Sequence, residues 1–477
     1  MSRLWSDYRL HFSFVFLVLG VAGMQIARAD VPGGPWEGLY QSFPLFWGLM
    51  LVALAVSVGA TVFGPEDVRP YTVFAVPLLA VLVSVPTLKW GVPYGIRDPW
   101  VHLDLITSQS ILQDNKYPMM HSLLAVIVEI SDLPPRELLA RVQIVGPAIG
   151  SVWVFAVTRR VNQSSWHIAG LALFPVCYMW IISRPYTVAP LLALLVWITI
   201  IGAGFDWRYR FLLLIVVTVS VWWHPVAGIL IGVILFGTWL TQKLSEFRFL
   251  RPIFQPTGVP GGFLIIISGA VLAIVLVWHI VYNTFVVEMT LSRAFMISAG
   301  DSGGGSPQVV GQLTDKIFEV LRRAMFVLAI GIVGFGALLK QLTQRRVERL
   351  LTISILATAM LAGFFLALDL LPGLSFGVRR GKTLAPLLLV PAGAIALREV
   401  SSSNRRILVA VLILSTGVAV AHTSPIIGGV ERGSTMSDVH SVEWVQSYQG
   451  DGAVVGSENT IYIAQGLYGN KAVDRMT

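Results

Sequence analysis

Asp98, His102 and Asp104 fall within seven residues of one another, in G-I-R-D-P-W-V-H-L-D-L. Proline suits the first turn of a helix, because its φ is already helical and its missing N–H would have no partner there. The spacing therefore predicts a helix opening at Pro99, with Asp98 as its N-cap and His102 one turn on, on the same side. Two readings stand for Asp98. It is a cap and nothing more, or it is a carboxylate base backed by an imidazole, able to take the proton of an attacking hydroxyl. Trp100, read as an interfacial aromatic, places the group at a membrane surface and favours the second reading. Further on, His121 to Glu129 is apolar but too short to span a bilayer. It reads as an interfacial helix with Glu129 on its solvated side.

A second set of residues could hold an anion. Arg379, Arg380 and Lys382 lie together in G-L-S-F-G-V-R-R-G-K, just before an apolar block. Guanidinium groups grip phosphate oxygens bidentately; the same cluster could instead anchor to anionic lipid headgroups. Arg184, in the turn Ser183-Arg184-Pro185-Tyr186, either joins that anion site or snorkels. His224, in Trp222-Trp223-His224-Pro225, either contacts a sugar or phosphate or is an interfacial histidine. Arg293 and Glu288 flank an apolar patch that could line the membrane surface, and His279 reads as packing. Gly303-Gly304-Gly305 lacks the strand and the Lys-Ser/Thr of a nucleotide loop. The single cysteine, Cys177, excludes a disulfide and a zinc cluster. No ligand set requires a divalent cation, and a metal stays an open question.

The elements that must position these residues are membrane helices. Of 477 residues 55% are hydrophobic and 13% charged, and the mean hydropathy is +0.74. Soluble domains carry about 25% charged residues. The composition excludes disordered, collagen-like and disulfide-scaffold chains. The apolar blocks read as about thirteen spans. The run 211–241 is a single long tilted helix or two short ones, 211–223 and 225–241, turning at His224-Pro225. Charge favours two. With the split, about half of the 34 basic residues fall on inner segments less than half as long as the outer ones. Without it, Lys243 to Arg251 would lie outside and every later loop would invert. The sequence pI of about 9.7 then reflects basic loops on one membrane side rather than nucleic-acid binding.

The fold expected is an all-α polytopic membrane protein, its N-terminus cytoplasmic and its C-terminus extracytoplasmic. Residues 1–422 form the transmembrane domain, with long outer loops at 89–140 and 287–323, and residues 423–477 a short α/β extracytoplasmic tail. The tail is too short for a core of its own, so it packs on the outer loops or belongs to a longer domain. Residues 1–29 have signal-peptide features, with Ala27-Arg28-Ala29 as the cleavage site. Their apolar stretch is longer than such peptides use, which favours a retained helix.

The pattern G-x-x-D-P-W-x-H-L, followed by I-L-x-x-N-K-Y-P-x-x-H, a helix and a span near Arg141, resembles the first outer loop of GT-C glycosyltransferases. These include the archaeal dolichyl-phosphate-sugar-dependent transferases, the protein mannosyltransferases and the oligosaccharyltransferase catalytic subunits. The local likeness covers Tyr94 to Arg160; elsewhere it is one of architecture. Asp98 is followed by Pro99 and Trp100 rather than completing a D-x-D. The resemblance implies a polyprenyl (dolichyl) phosphate sugar donor, a protein or lipid-linked glycan acceptor, and inverting transfer on the outer face of an archaeal or other prokaryotic plasma membrane. Asp98 would be the base, with His102 and Asp104 orienting it. Arg379, Arg380, Lys382 and Arg184 would take the donor phosphate, and His224 and Arg293 would bind substrate. It also implies that the loop 287–323 closes over donor and acceptor; by composition that loop reads as a flexible linker. A transporter or flippase of lipid-linked sugars is the alternative. It asks for ionisable residues at mid-membrane, which the spans nearly lack. A subunit without chemistry is the third reading.

Overall fold

The computed structural model describes residues 98–107, 118–174, 176, 191–203, 206–251, 253–256, 258–282, 313–370, 377–401 and 404–412, with isolated residues of the tail between 439 and 467. Among these the fold is all-α, apart from one isolated parallel bridge between Phe254 and Val347. The chain divides into two compact units. One comprises Met1–Val152, Cys177–Val188 and Thr416–Thr477, the other Trp153–Val176 and Ala189–Ser415.

The first unit contains α1 (Asp98–Thr107), α2 (Pro118–Ser131) and the beginning of α3 (Pro135–Val161). Trp100, Leu103 and Ile106 of α1 are buried, as are Met120 and Leu124 of α2. These are helical spacings, so each helix turns one stripe inward. The described residues of the tail are helical, and the stretch expected as its strand lies outside them. Val439, Val442, Ile463 and Ala464 are buried, and Glu443 pairs with Arg136 of α3 at 3.6 Å. The tail thus packs on this unit, one of the two arrangements its length allowed.

The second unit contains α4 (Trp166–Leu173), α5 (Leu192–Ala203), α6 (Trp207–Trp223), α7 (Pro225–Glu246), α8 (Gly261–Tyr282), α9 (Leu313–Thr343), α10 (Arg349–Leu370) and α11 (Gly377–Glu399). Helix α11 packs against α4, α5, α7, α9 and α10. Leu384, Leu387 to Val390 and Ala392 to Leu397 make it apolar around most of its circumference. Two prolines, Pro386 and Pro391, interrupt its hydrogen-bond ladder. Pro391 has no N–H to offer the carbonyl four residues before it, that of Leu387. The buried Trp197 indole of α5 donates to that carbonyl at 3.1 Å. Ser354 of α10 donates to the next carbonyl, of Leu388, at 2.8 Å. Several other buried hydroxyls bond a carbonyl of their own helix, as with Thr238 on Ile234 and Ser220 on Val216, while the buried Ser268 hydroxyl has no partner among the described residues.

Gly393 lets α4 and α9 approach α11; a Cβ there would stand 2.8 Å from a Leu173 methyl. At one end of the unit Lys340 of α9 bonds Glu399 of α11 at 2.7 Å, and Arg398 pairs with Glu348. The lysine holds the Glu399 carboxyl below its ordinary value, against the opposing effect of partial burial.

The split at His224 is present. Helix α6 ends at Trp223 and α7 begins at Pro225, and the two pack on each other. Other expected boundaries move. Residues 313–323, expected as outer loop, lie within α9, and α11 includes residues 377–383 ahead of the expected span. Hydropathy marks only the apolar part of a helix, whereas backbone bonding continues through Lys, Arg and Glu, which are good helix formers. Two helices of the described residues, over Val226–Glu246 and Arg349–Leu366, are long and apolar enough to cross a bilayer. Large apolar side chains face outward on α6 (Phe211, Leu214, Ile215), α8 (Ile266, Leu276) and α9 (Ile332, Phe335). Exposed apolar area of that kind marks a membrane or partner surface, so the fold points to membrane association.

Candidate functional site

Helix α1 runs over Asp98–Thr107, with Asp98 the first of its described residues and Pro99 the next. Asp98 stands one turn before His102 on the same helix. Trp100 is not an interfacial aromatic. It is fully buried, and with Leu103 it fixes the inner face of α1. His102 and Asp104 are both buried too. Thr107 closes the helix by donating to the carbonyls of Leu103 and Asp104, at 3.1 and 3.0 Å.

The ring that meets His102 comes from α2. His102 Nδ1 lies 3.0 Å from His121 Nε2, and the rings are tilted by 35° with centroids 5.1 Å apart. His121 is fully buried. At that separation one nitrogen donates and the other accepts, so the two tautomers are linked. Burial first, and then the nearby His102, lowers the His121 pKa to about 3. His121 is therefore neutral at ordinary pH. Two imidazolium rings could not share this contact, since each nitrogen would then carry a proton. A pair of this kind keeps its bond with one added proton and loses it with two. That is a suitable backing for a proton-accepting group nearby.

His121 is the residue that spacing alone did not single out for chemistry. It lies nineteen positions from its partner, and its only signal was the closing histidine of N-K-Y-P-x-x-H. Glu129 is exposed on α2, as expected of a solvated face.

The remaining candidates belong to the second unit or lie outside the described residues. Arg379, Arg380 and Lys382 are in the opening turns of α11, not before it. His224 ends α6 and caps α7, its Nδ1 accepting the Val226 N–H at 3.0 Å, and its ring is buried. Extended backbone at His224 (φ −165°, ψ 135°) with Pro225 at the first helical position makes the turn. His279 lies within α8, near its end. Arg184, Glu288 and Arg293 lie outside the described residues. Among the described residues no group of three or more His, Cys, Asp or Glu could hold a metal ion.

Neither a protein-family model nor a curated protein matches this chain. The functional reading rests on its own residues.

Proposed function

We propose that this protein is a multi-pass plasma-membrane glycosyltransferase of GT-C type, with about thirteen spans, an inner N-terminus and an outer C-terminus. It transfers a hexose from a polyprenyl (dolichyl) phosphate to a protein or lipid-linked glycan acceptor on the outer face. The observation that carries this reading is the buried imidazole pair one helical turn from Asp98, on a short helix outside the apolar spans. Asp98 takes the proton from the acceptor hydroxyl. The acceptor oxygen forms its bond to the anomeric carbon from the face opposite the leaving group. The bond from that carbon to the phosphate oxygen breaks, and its electron pair leaves with the lipid phosphate. The configuration inverts. His102, held by His121, and Asp104 orient the base.

Arg379, Arg380 and Lys382 stabilise the leaving phosphate. Their place at the start of α11 supports this role. Helix N-termini favour anions, so three cations there are unfavourable for the helix alone and become favourable with an anion between them. The same role, binding the donor phosphate, is proposed for Arg184. Arg293 and His224 contact substrate, His224 through whatever its capping role leaves available.

The test is transfer by purified protein in lipid, with radiolabelled dolichyl-phosphate hexose and candidate acceptors. Asp98→Asn should insert normally and lose transfer by about 10²–10⁴-fold, the usual contribution of a general base. Wild-type turnover in that variant removes the base assignment. Absence of transfer, with donor crossing sealed vesicles, replaces the enzyme with a flippase. A chelator arm reads metal dependence.

A further inference from the structure

Direct contacts in the second unit join Arg159 and Arg160 of α3, and Arg405, to the starts of α4 and α6, where Arg208 also lies. The Arg159 guanidinium lies over the Trp166 ring, 5.7 Å from its centroid. Arg160 lies over Tyr209 at 4.9 Å and also donates to its hydroxyl at 2.6 Å. Both distances fall within the roughly 6 Å reach of cation–π attraction. Ser165, next to Trp166, accepts from Arg405 at 3.3 Å. Arg208, next to Tyr209, is exposed, as are Arg159 and Arg160. The carboxylate within this run, Asp206, accepts the Arg208 backbone N–H and caps α6. Among the described residues no carboxylate forms an ion pair with Arg159, Arg160 or Arg208. The neighbouring acids Glu348 and Glu399 pair with Arg398 and Lys340.

Stacking matters because it removes rotamer freedom before binding. A loose surface arginine loses that freedom when it grips an anion; one already held over a ring loses less. The patch also has an apolar border. Trp207 and Phe211 are exposed, and Leu214 and Ile215, also exposed, follow one turn beyond Phe211. A cationic band edged by aromatics and continuing into an outward apolar wall is the profile of a bilayer interface. A soluble acidic partner would have no need of that wall.

We infer that Arg159 and Arg160, held over Trp166 and Tyr209 and flanked by Arg208, form a binding site for the phosphodiester headgroup of an anionic phospholipid. The site rests on the membrane reading of the fold and is independent of the glycosyl-transfer reading. Native mass spectrometry of the full chain, titrated with phosphatidylglycerol or phosphatidylcholine in detergent, tests it. Wild type should retain phosphatidylglycerol in preference, and the preference should fall as salt rises. R159Q/R160Q should bind it about 30-fold more weakly, the loss expected for two surface cations at a membrane. R248Q, which removes an exposed arginine outside this run of contacts, should bind as wild type. R159K/R160K should recover part of the affinity, which a misfolded protein could not do. Equal retention of the two lipids, undiminished binding by R159Q/R160Q, no recovery by the lysines, or preference for an acidic peptide or RNA over phosphatidylglycerol would each overturn the site.

Discussion

Acidifying the protein from pH 7 to pH 5 should loosen α2 from α1 through His121. The folded ring holds its proton affinity down at about 3, by burial and by the neighbouring His102. An unfolded histidine titrates near 6.5. The folded value is the lower one, so over the window between them the unfolded segment binds more protons than the folded one. Stability is therefore complete above about 6.5 and is lost as the pH falls toward 3. At pH 5 the unfolded ring is almost fully charged and the folded ring is not. The difference from pH 7 amounts to about 2 kcal/mol, or about 30-fold more frequent opening. Hydrogen exchange of the amides of α2, corrected for the intrinsic pH dependence of exchange, reads this directly. His121→Gln keeps an acceptor for a His102 Nδ1–H and cannot titrate. It should remove the pH slope at the cost of about 1 kcal/mol of packing and hydrogen bonding at pH 7. An equal slope in wild type and His121→Gln, or a flat wild-type profile between pH 7 and 5, would refute the reasoning.

Further outcomes concern the second unit and the proposed base. Trp197→Phe keeps the ring but removes the donor to the Leu387 carbonyl, which Pro391 has already deprived of its helical partner; it should cost about 1–3 kcal/mol and lower the thermal midpoint. An unchanged midpoint would mean that another donor reaches that carbonyl. Gly170→Ala drives a Cβ into the buried Phe155 ring and should cost about 1–3 kcal/mol, read as earlier thermal aggregation; Phe155→Leu in the same chain should recover part of it. Asp98→Asn should abolish transfer while Glu129→Gln, on the exposed side of α2, should leave it unchanged, both read by radiolabel.

Much of the architecture was already present in local residue chemistry. The break between α6 and α7 follows from Pro225, whose ring fixes its own φ and disfavours helix at the residue before it. Charge placement also favoured that break. The helical, apolar character of the chain follows from composition and from blocks too long and too apolar for water. Asp98, His102 and Asp104 could be singled out because four-residue spacing on one helix is a short-range relation. Boundaries were less legible, since helix continues through the charged residues that begin α9 and α11, where hydropathy falls silent.

What only the tertiary structure decided are the relations between segments distant in the chain. His121 becomes the partner of His102 because α1 and α2 close on one another, and no periodicity encodes a contact nineteen residues away. Closure also turned Trp100 from a surface aromatic into core. Pro391 announced an orphaned carbonyl in α11, yet the donor that satisfies it is Trp197, brought from a helix 190 positions earlier. His224 could be read as a ligand or as an interfacial histidine; its Nδ1 is occupied by the Val226 N–H because the chain turns back there. Spacing along one helix is set by the backbone and can be read from residue types. Which side chains meet across helices depends on how every apolar face is buried at once, and that is settled only when the whole unit packs.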